Sequence, residues 1–167
     1  MIREQAIRDV KRALDIVERQ WPELADGYLE VPLEAYSSDA VAALDRELFE
    51  TSPLALLASN EIPKPHDYHV RMSVGRSILL TRDTDGRARA FLNYCRHRGA
   101  EPARGCGNAR VFLCPYHDWS YDTKGRLTGM PMRDRFKDLD FDRMGLVELP
   151  CEERHGFVWV VLRPGHP

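Results

Sequence analysis

Two short segments of the sequence each place a cysteine close to a histidine. Cys95 and His97 are separated by one residue, and Cys114 and His117 are separated by two. Thiolate sulfur and imidazole nitrogen are ligands for zinc and for iron–sulfur clusters. Together the two segments therefore supply two sulfur and two nitrogen ligands for one metal centre.

The spacing of these ligands indicates which metal centre they form. Zinc sites usually group like ligands, as Cys-x2–4-Cys and His-x3–5-His pairs, whereas here each pair is mixed and tightly spaced. Rieske centres are [2Fe–2S] clusters in which two histidines replace two cysteines on one iron. The pattern favours a [2Fe–2S] cluster, and a structural zinc-binding module is the alternative.

The residues around the ligands extend this match. The run Cys-Arg-His-Arg-Gly begins at Cys95, and Cys-Pro-Tyr-His-x-Trp-x-Tyr-Asp-x-x-Gly begins at Cys114. Together they resemble the Rieske domain in the large subunit of aromatic-ring-hydroxylating oxygenases. The resemblance implies a mainly β fold, a small antiparallel β domain with two cluster-binding loops. It also implies an electron-transfer role in aromatic hydrocarbon catabolism.

The same resemblance implies a division of the ligands between the two irons. Cys95 and Cys114 would bind the inner iron, and His97 and His117 the outer iron, with their rings facing solvent. Neutral imidazoles in place of two thiolates remove negative charge, which raises the reduction potential above that of all-cysteine ferredoxins.

At three positions this sequence differs from Rieske proteins of respiratory complexes, and at a fourth it agrees with them. Ala100 and Tyr116 stand where those proteins have two disulfide-bonded cysteines, and Trp119 stands where they have a serine hydroxyl. Fewer donors to the cluster sulfurs predict a potential in the lower part of the Rieske range of about −150 to +300 mV. Tyr121 matches a tyrosine found in both branches and is the remaining candidate donor.

Asp118 departs from the oxygenase pattern, which usually has glycine at this position. Aspartate is among the few residues that tolerate a positive φ, so we expect a tight turn to be retained. The alternative is that its carboxylate acts as an added anion beside His117.

Composition excludes several classes of protein. A net charge of −2 over 167 residues, without a basic tract, argues against nucleic-acid binding. No apolar run approaches the length of about 20 residues that a membrane span needs. The N-terminus begins a charged amphipathic segment and not a signal peptide, so we expect a cytoplasmic protein.

The remaining cysteines are interpreted as thiols and not as disulfides. Cys95 and Cys114 belong to the cluster motif, and an intracellular chain keeps its cysteines reduced. Cys106 lies between glycines in a predicted loop as a free thiol, and Cys151 is a small packed residue before the last strand.

Hydrophobic periodicity predicts helices over 3–20, ending at Trp21-Pro22, and over about 40–50. Short β-type segments follow, which divides the chain into an N-terminal helical segment (1–52) and a Rieske [2Fe–2S] domain (53–165). Residues 27–37 and 132–145 have no clear period. Strands are predicted over 68–74, 78–81, 90–92, 111–113, 120–122, 126–127 and 157–162.

The function that follows is electron transfer without oxygenation by this chain alone. Oxygenase large subunits also hold a mononuclear iron on two histidines and a carboxylate, and His66-Asp67-Tyr68-His69 is read instead as a polar loop. The expected partners are a reductase or ferredoxin donor and an oxygenase catalytic domain or neighbouring subunit, with a homo-oligomer possible. The alternative is a stand-alone Rieske ferredoxin.

Overall fold

The computed structural model describes residues 2–20, 22, 24 and 27–166, which form two compact units, 1–38 and 39–167. The first unit contains α1 (Ile2–Arg19) and a short helix α2 (Glu34–Ser37). The prediction of a helix over 3–20 is confirmed, whereas Trp21 of its predicted stop lies outside the described residues. Helix α2 was missed because four residues are too short to show a helical period.

The second unit begins with α3 (Asp39–Thr51), which confirms the predicted second helix. Within the described residues, eleven strands follow: β1 (Leu54–Ala58), β2 (Asp67–Ser73), β3 (Arg76–Arg82), β4 (Ala88–Leu92), β5 (Cys106–Asn108), β6 (Val111–Leu113), β7 (Ser120–Asp122), β8 (Leu127–Gly129), β9 (Glu148–Leu149), β10 (Cys151–Arg154) and β11 (Phe157–Val160).

All strand pairs are antiparallel, and the strands form three sheets. The largest has the order β5-β2-β3-β4-β9, and the others are β1-β11-β10 and β6-β7-β8. The mainly β fold with a preceding helix is therefore confirmed. Two corrections apply: Cys106 lies in β5 and not in a loop, and the last strand ends at Val160 and not at residue 162.

Strand β3 lies at the centre of the packing because both of its faces are buried. Ile78 and Leu80 point into a core shared with the β1-β11-β10 sheet, and Leu79 points into a second core beneath the β6-β7-β8 sheet. Side chains alternate between the faces of a strand, so a continuous apolar run fills both cores. The second core also contains Cys95 and Cys114.

Helix α3 has no buried residue and is held by ion pairs. Arg163 binds the Glu47 carboxylate with both terminal nitrogens, at 2.9 and 2.7 Å, and Arg76 Nη2 lies 2.7 Å from Glu50 Oε1. These contacts explain why the compact unit begins at Asp39. The division of the chain after residue 52 stays a prediction. No helix among the described residues is long and apolar enough to cross a membrane.

A partly buried ion pair connects β3 to β10. The Arg82 side chain is buried, and its Nε donates to Ile62 O at 2.9 Å. Both terminal nitrogens of Arg82 bind the Glu153 carboxylate. The hydrogen bond and charge of Arg82 lower the pKa of Glu153 from its usual 4.5 to about 2, against the opposing effect of burial.

We predict that Glu153→Gln lowers the free energy of unfolding by about 2–3 kcal/mol at pH 7, because it leaves the Arg82 charge buried and unpaired. The folded-state pKa is depressed, so the stabilisation is present above pH 4.5 and is lost as pH falls toward about 2. Denaturant unfolding at pH 7 and pH 3 should show a smaller difference at pH 3. Glu152→Gln, an exposed change on the same strand, is the control, and an equal effect from both variants would contradict the assignment.

Candidate metal centre

The two ligand loops repeat one backbone arrangement. Cys95 N donates to Ala100 O and Gly99 N donates to Cys95 O, each at 2.8 Å. In the second loop, Cys114 N donates to Trp119 O at 2.8 Å and Asp118 N donates to Cys114 O at 3.1 Å. Each loop therefore closes within a six-residue span that begins at its cysteine.

This repetition explains the aspartate at position 118. Gly99 and Asp118 occupy the same place in the two loops, and their φ values are 75° and 58°. The turn requires the left-handed backbone region, where glycine is unstrained and aspartate is tolerated better than most residues. The predicted positive φ is confirmed, which supports a turn substitution as the explanation of Asp118.

The two cysteines are buried next to each other. Their exposed fractions are 4% for Cys95 and 2% for Cys114. Burial raises the pKa of the Cys114 thiol, while hydrogen bonds from the backbone N–H groups of Tyr116 and His117 lower it. Burial outweighs these donors, so the pKa of the Cys114 thiol lies above its usual value, and the two N–H groups are placed to stabilise negative charge on the sulfur when it is ligated.

The two histidines lie together at the outer edge of the loops. The ring centroids of His97 and His117 are 4.5 Å apart, and both side chains are half-buried. His97 Nδ1 is buried without a hydrogen-bond partner. Burial, followed by the charges of His117 and Arg98, lowers the pKa of His97. A neutral imidazole with an unpaired buried nitrogen suits a metal ligand.

Aromatic side chains surround the histidine rings. Trp119 stacks on His97 with centroids 4.9 Å apart and ring planes 9° apart, and Phe136 lies edge-on to both rings. Tyr116 lies 4.0 Å from the His117 ring. Phe136 was not predicted from the sequence, because residues 132–145 have no clear period. Its contacts with His97 and Trp119 form only in the folded chain.

Tyr121 is placed as a donor to the first sulfur. Its hydroxyl lies 3.2 Å from Cys95 Sγ and accepts a hydrogen bond from Arg96 N at 3.0 Å. Since the oxygen already accepts from Arg96, its own hydrogen is free to point at the sulfur. The side chain is fully buried, and burial raises the pKa of the phenol, so it keeps its proton.

We predict that Tyr121→Phe lowers the reduction midpoint of the cluster by about 50 mV. The hydrogen bond stabilises negative charge on the sulfur, and this charge is larger in the reduced cluster. Losing the bond therefore costs the reduced cluster on the order of 1 kcal/mol more than the oxidised cluster. Redox titration followed by optical absorbance measures the shift. Tyr116→Phe, which keeps the ring beside His117, is the control and should change the midpoint little. A Tyr121→Phe midpoint equal to wild type would show that the hydroxyl does not donate to the sulfur.

Asn93 anchors the first loop and was not identified from the sequence. It is fully buried, and its Nδ2 donates to Ser77 Oγ at 3.0 Å and to Ala103 O at 2.9 Å. Its Oδ1 accepts from Ala103 N at 3.3 Å. The sequence offered one signal for this role: Asn93 is a polar amide that directly follows an apolar strand and precedes Cys95 by two residues.

Asp67, Tyr68 and His69 lie in β2, which corrects the expectation of a polar loop over residues 66–69. Asp67 accepts hydrogen bonds from Asn108 Nδ2 and Lys64 N, and His69 Nε2 lies 3.7 Å from Glu61. Among the described residues, no three His, Cys, Asp or Glu side chains are placed to hold a single metal ion. All four cysteines lie in the described part of the chain, and none forms a disulfide.

Comparison with known proteins identifies the class of this domain. The family described as Rieske [2Fe-2S] domain matches residues 52–148, which include both ligand loops. The chain belongs to the Rieske [2Fe–2S] domain family. Its cofactor is therefore the [2Fe–2S] cluster and not zinc. The two buried cysteines and the unpaired Nδ1 of His97 are donors that fit it.

Curated relatives are large subunits of oxygenases. The carnitine monooxygenase oxygenase subunit of Acinetobacter baumannii is 34% identical over 131 residues, which cover 77% of this chain and 35% of that protein. The large oxygenase component of the naphthalene 1,2-dioxygenase system of Ralstonia sp is 35% identical over 130 residues, 69% of this chain and 28% of that protein. This chain thus spans about a third of the length of such relatives.

Solved structures give the same result. The quaternary ammonium Rieske monooxygenase CntA in complex with gamma-butyrobetaine superposes with a TM-score of 0.75 at 33% identity, covering 79% of this chain and 38% of that one. Naphthalene 1,2-dioxygenase with indole bound in the active site has a TM-score of 0.68 at 32% identity, covering 75% and 30%.

Proposed function

We propose that this chain is the electron-transfer part of a Rieske oxygenase large subunit in the cytoplasm. It would accept electrons from a reductase or ferredoxin and pass them to a mononuclear iron in a catalytic domain or neighbouring subunit. The observation that carries the proposal is that the two kinds of candidate ligand differ in burial. Both cysteines are buried, whereas both histidines reach the surface.

The ligands that we propose are Cys95 and Cys114 for one iron and His97 and His117 for the other. When bound, a Rieske cluster stores and releases single electrons. The protein's contribution is to stabilise the added negative charge, through the Tyr121 hydroxyl near Cys95 and the backbone N–H groups directed at Cys114. The half-buried histidine edge gives electrons a short route to partner proteins.

A cavity of about 450 Å³ lies against this edge. Its lining residues include both histidines, Asp118, Trp119, Met132, Arg135 and Phe136. We assign this concave side to the onward transfer, because a projecting group of a catalytic domain or second subunit could enter it and reach either ring. A homo-oligomer would supply such a neighbour. The names of the relatives indicate aromatic compounds and carnitine as candidate substrates of the complete enzyme.

The experiment supplies purified chain with a reductase, NADH and a panel of aromatic acids and quaternary amines. We expect cluster reduction, seen as bleaching and a Rieske-type EPR signal, without hydroxylated product. A Rieske cluster with four protein ligands leaves no open position for oxygen at iron, so product requires the mononuclear site. Stoichiometric product from the chain alone would reveal a second iron site, and absence of any EPR signal would refute the electron-transfer function.

A further inference from the structure

The surface next to His117 exposes apolar side chains. Val111 and Leu113 project from β6, and their exposed fractions are 50% and 56%. Strand β6 forms one edge of its sheet, and Phe112 between them points into the core. Tyr116 follows within three residues and is 58% exposed. Apolar side chains grouped on an edge strand are typical of an interaction surface.

The sequence segment that contains both β6 and the first ligand loop is basic. Residues 95–117 contain four arginines and one acidic residue, Glu101, and so carry a net charge of +3 in a chain whose total is −2. All four arginines are exposed, and none makes an ion pair within the described residues: Arg96, Arg98, Arg104 and Arg110. The Arg98 guanidinium lies 6.0 Å from the centre of the Tyr116 ring. An apolar centre with a charged rim is the usual composition of a transient interface.

We propose that this β6 surface, defined by Val111, Leu113, Tyr116 and Arg98, docks an acidic electron-donor protein, an iron–sulfur or flavin domain. The proposal rests on the proposed function and names the entry face for the electron. The Tyr116 ring lies 4.0 Å from the His117 ring, so a donor seated here is next to a candidate ligand. One electron leaves the reduced donor and enters the oxidised cluster, and no bond forms or breaks.

Charge also distinguishes this face from the cavity that both histidines line. Asp118 and Arg135 both line that cavity, so their opposite charges offset each other there. Arg98 of the β6 surface has no ion pair within the described residues, so its charge attracts an acidic protein and raises the association rate at low ionic strength. Entry and onward transfer therefore use different surfaces that meet at the histidine rings.

The test uses full chain with its cluster and a probe donor, an acidic plant-type [2Fe–2S] ferredoxin kept reduced by its own reductase and NADPH. Stopped-flow absorbance measures the rate of cluster reduction at low and high salt. Arg98→Glu and Leu113→Asp should each lower the low-salt rate roughly tenfold, because steering and the apolar contact are lost. At high salt, the Arg98→Glu rate should approach the wild-type rate, because the lost attraction is then screened. The Leu113→Asp rate should stay roughly tenfold lower than wild type, because its loss is not electrostatic.

Matched controls lie away from the β6 surface. Arg87→Glu reverses an exposed arginine at the far end of β4 from Cys95, and Phe157→Asp alters an exposed apolar residue on β11. Both should keep at least about half of the wild-type rate, since charge effects at exposed sites decay within a Debye length. Dithionite, a small reductant that needs no docking, should reduce the cluster of every variant to completion.

Several results would overturn the docking surface while leaving the proposed function intact. One such result is that dithionite reduces Arg98→Glu and Leu113→Asp normally, and that ferredoxin also reduces both variants at the wild-type rate. Another is sedimentation of wild type as a dimer that Leu113→Asp dissociates, which would make this face a contact between copies. Failure of dithionite to reduce wild type would instead refute the proposed function. If Leu113→Asp loses its cluster, Leu113→Thr and Arg98→Gln test the same contrast.

Discussion

Cys95→Ser and Cys114→Ser are each expected to abolish the [2Fe–2S] cluster. A serine hydroxyl cannot replace a soft thiolate ligand to iron, and the loops then lose the centre that joins them. Because ligation and folding are coupled, we expect the free energy of unfolding to fall by about 5 kcal/mol or more. Iron and acid-labile sulfide analysis, visible absorbance and denaturant unfolding measure these losses.

Cys106→Ser is the matched control for this prediction. Cys106 is exposed on β5, outside both ligand loops, so its variant should keep two irons, two sulfides and wild-type stability. Iron content retained in Cys95→Ser, or lost equally in Cys106→Ser, would contradict the ligand assignment. One zinc and no sulfide in the wild-type chain would contradict the cluster itself.

Asn93→Leu is expected to lower the free energy of unfolding by about 3 kcal/mol, because it leaves the buried N–H and C=O groups of Ala103 unpaired. The two hydrogen bonds to Ala103 close the first ligand loop. We therefore also expect a faster loss of cluster absorbance in air and a broadened EPR spectrum. Denaturant unfolding, bleaching kinetics and EPR measure the three effects.

Asn108→Leu provides the comparison, since it removes the same amide from an exposed site. Its Nδ2 donates to Pro65 O and Asp67 Oδ1. The cost should be about 1 kcal/mol, with an unchanged EPR spectrum. A wild-type spectrum and bleaching rate in Asn93→Leu would show that Asn93 supports the core and does not position the cluster loop.

Residue type and spacing were sufficient to predict the class of domain, and they select four candidate ligands whose assignment stays a prediction. The mixed Cys/His pairs select an iron–sulfur centre over zinc because ligand chemistry depends on the atoms supplied and not on distant packing. Local signals also predicted α1, α3 and the strands with continuous apolar runs, such as β3 and β6. The positive φ of Asp118 followed in the same way from the turn that its loop must make.

The tertiary structure alone decided the surroundings of the centre. Strands β5 and β9 have three and two residues and exist because they pair with β2 and β4, so no local pattern marks them. Phe136 lies in an irregular segment, and only the folded chain brings its ring against Trp119 and His97. Ligand identity is a property of single side chains, whereas the hydrogen bonds and aromatic rings around the ligands come from residues far apart in sequence.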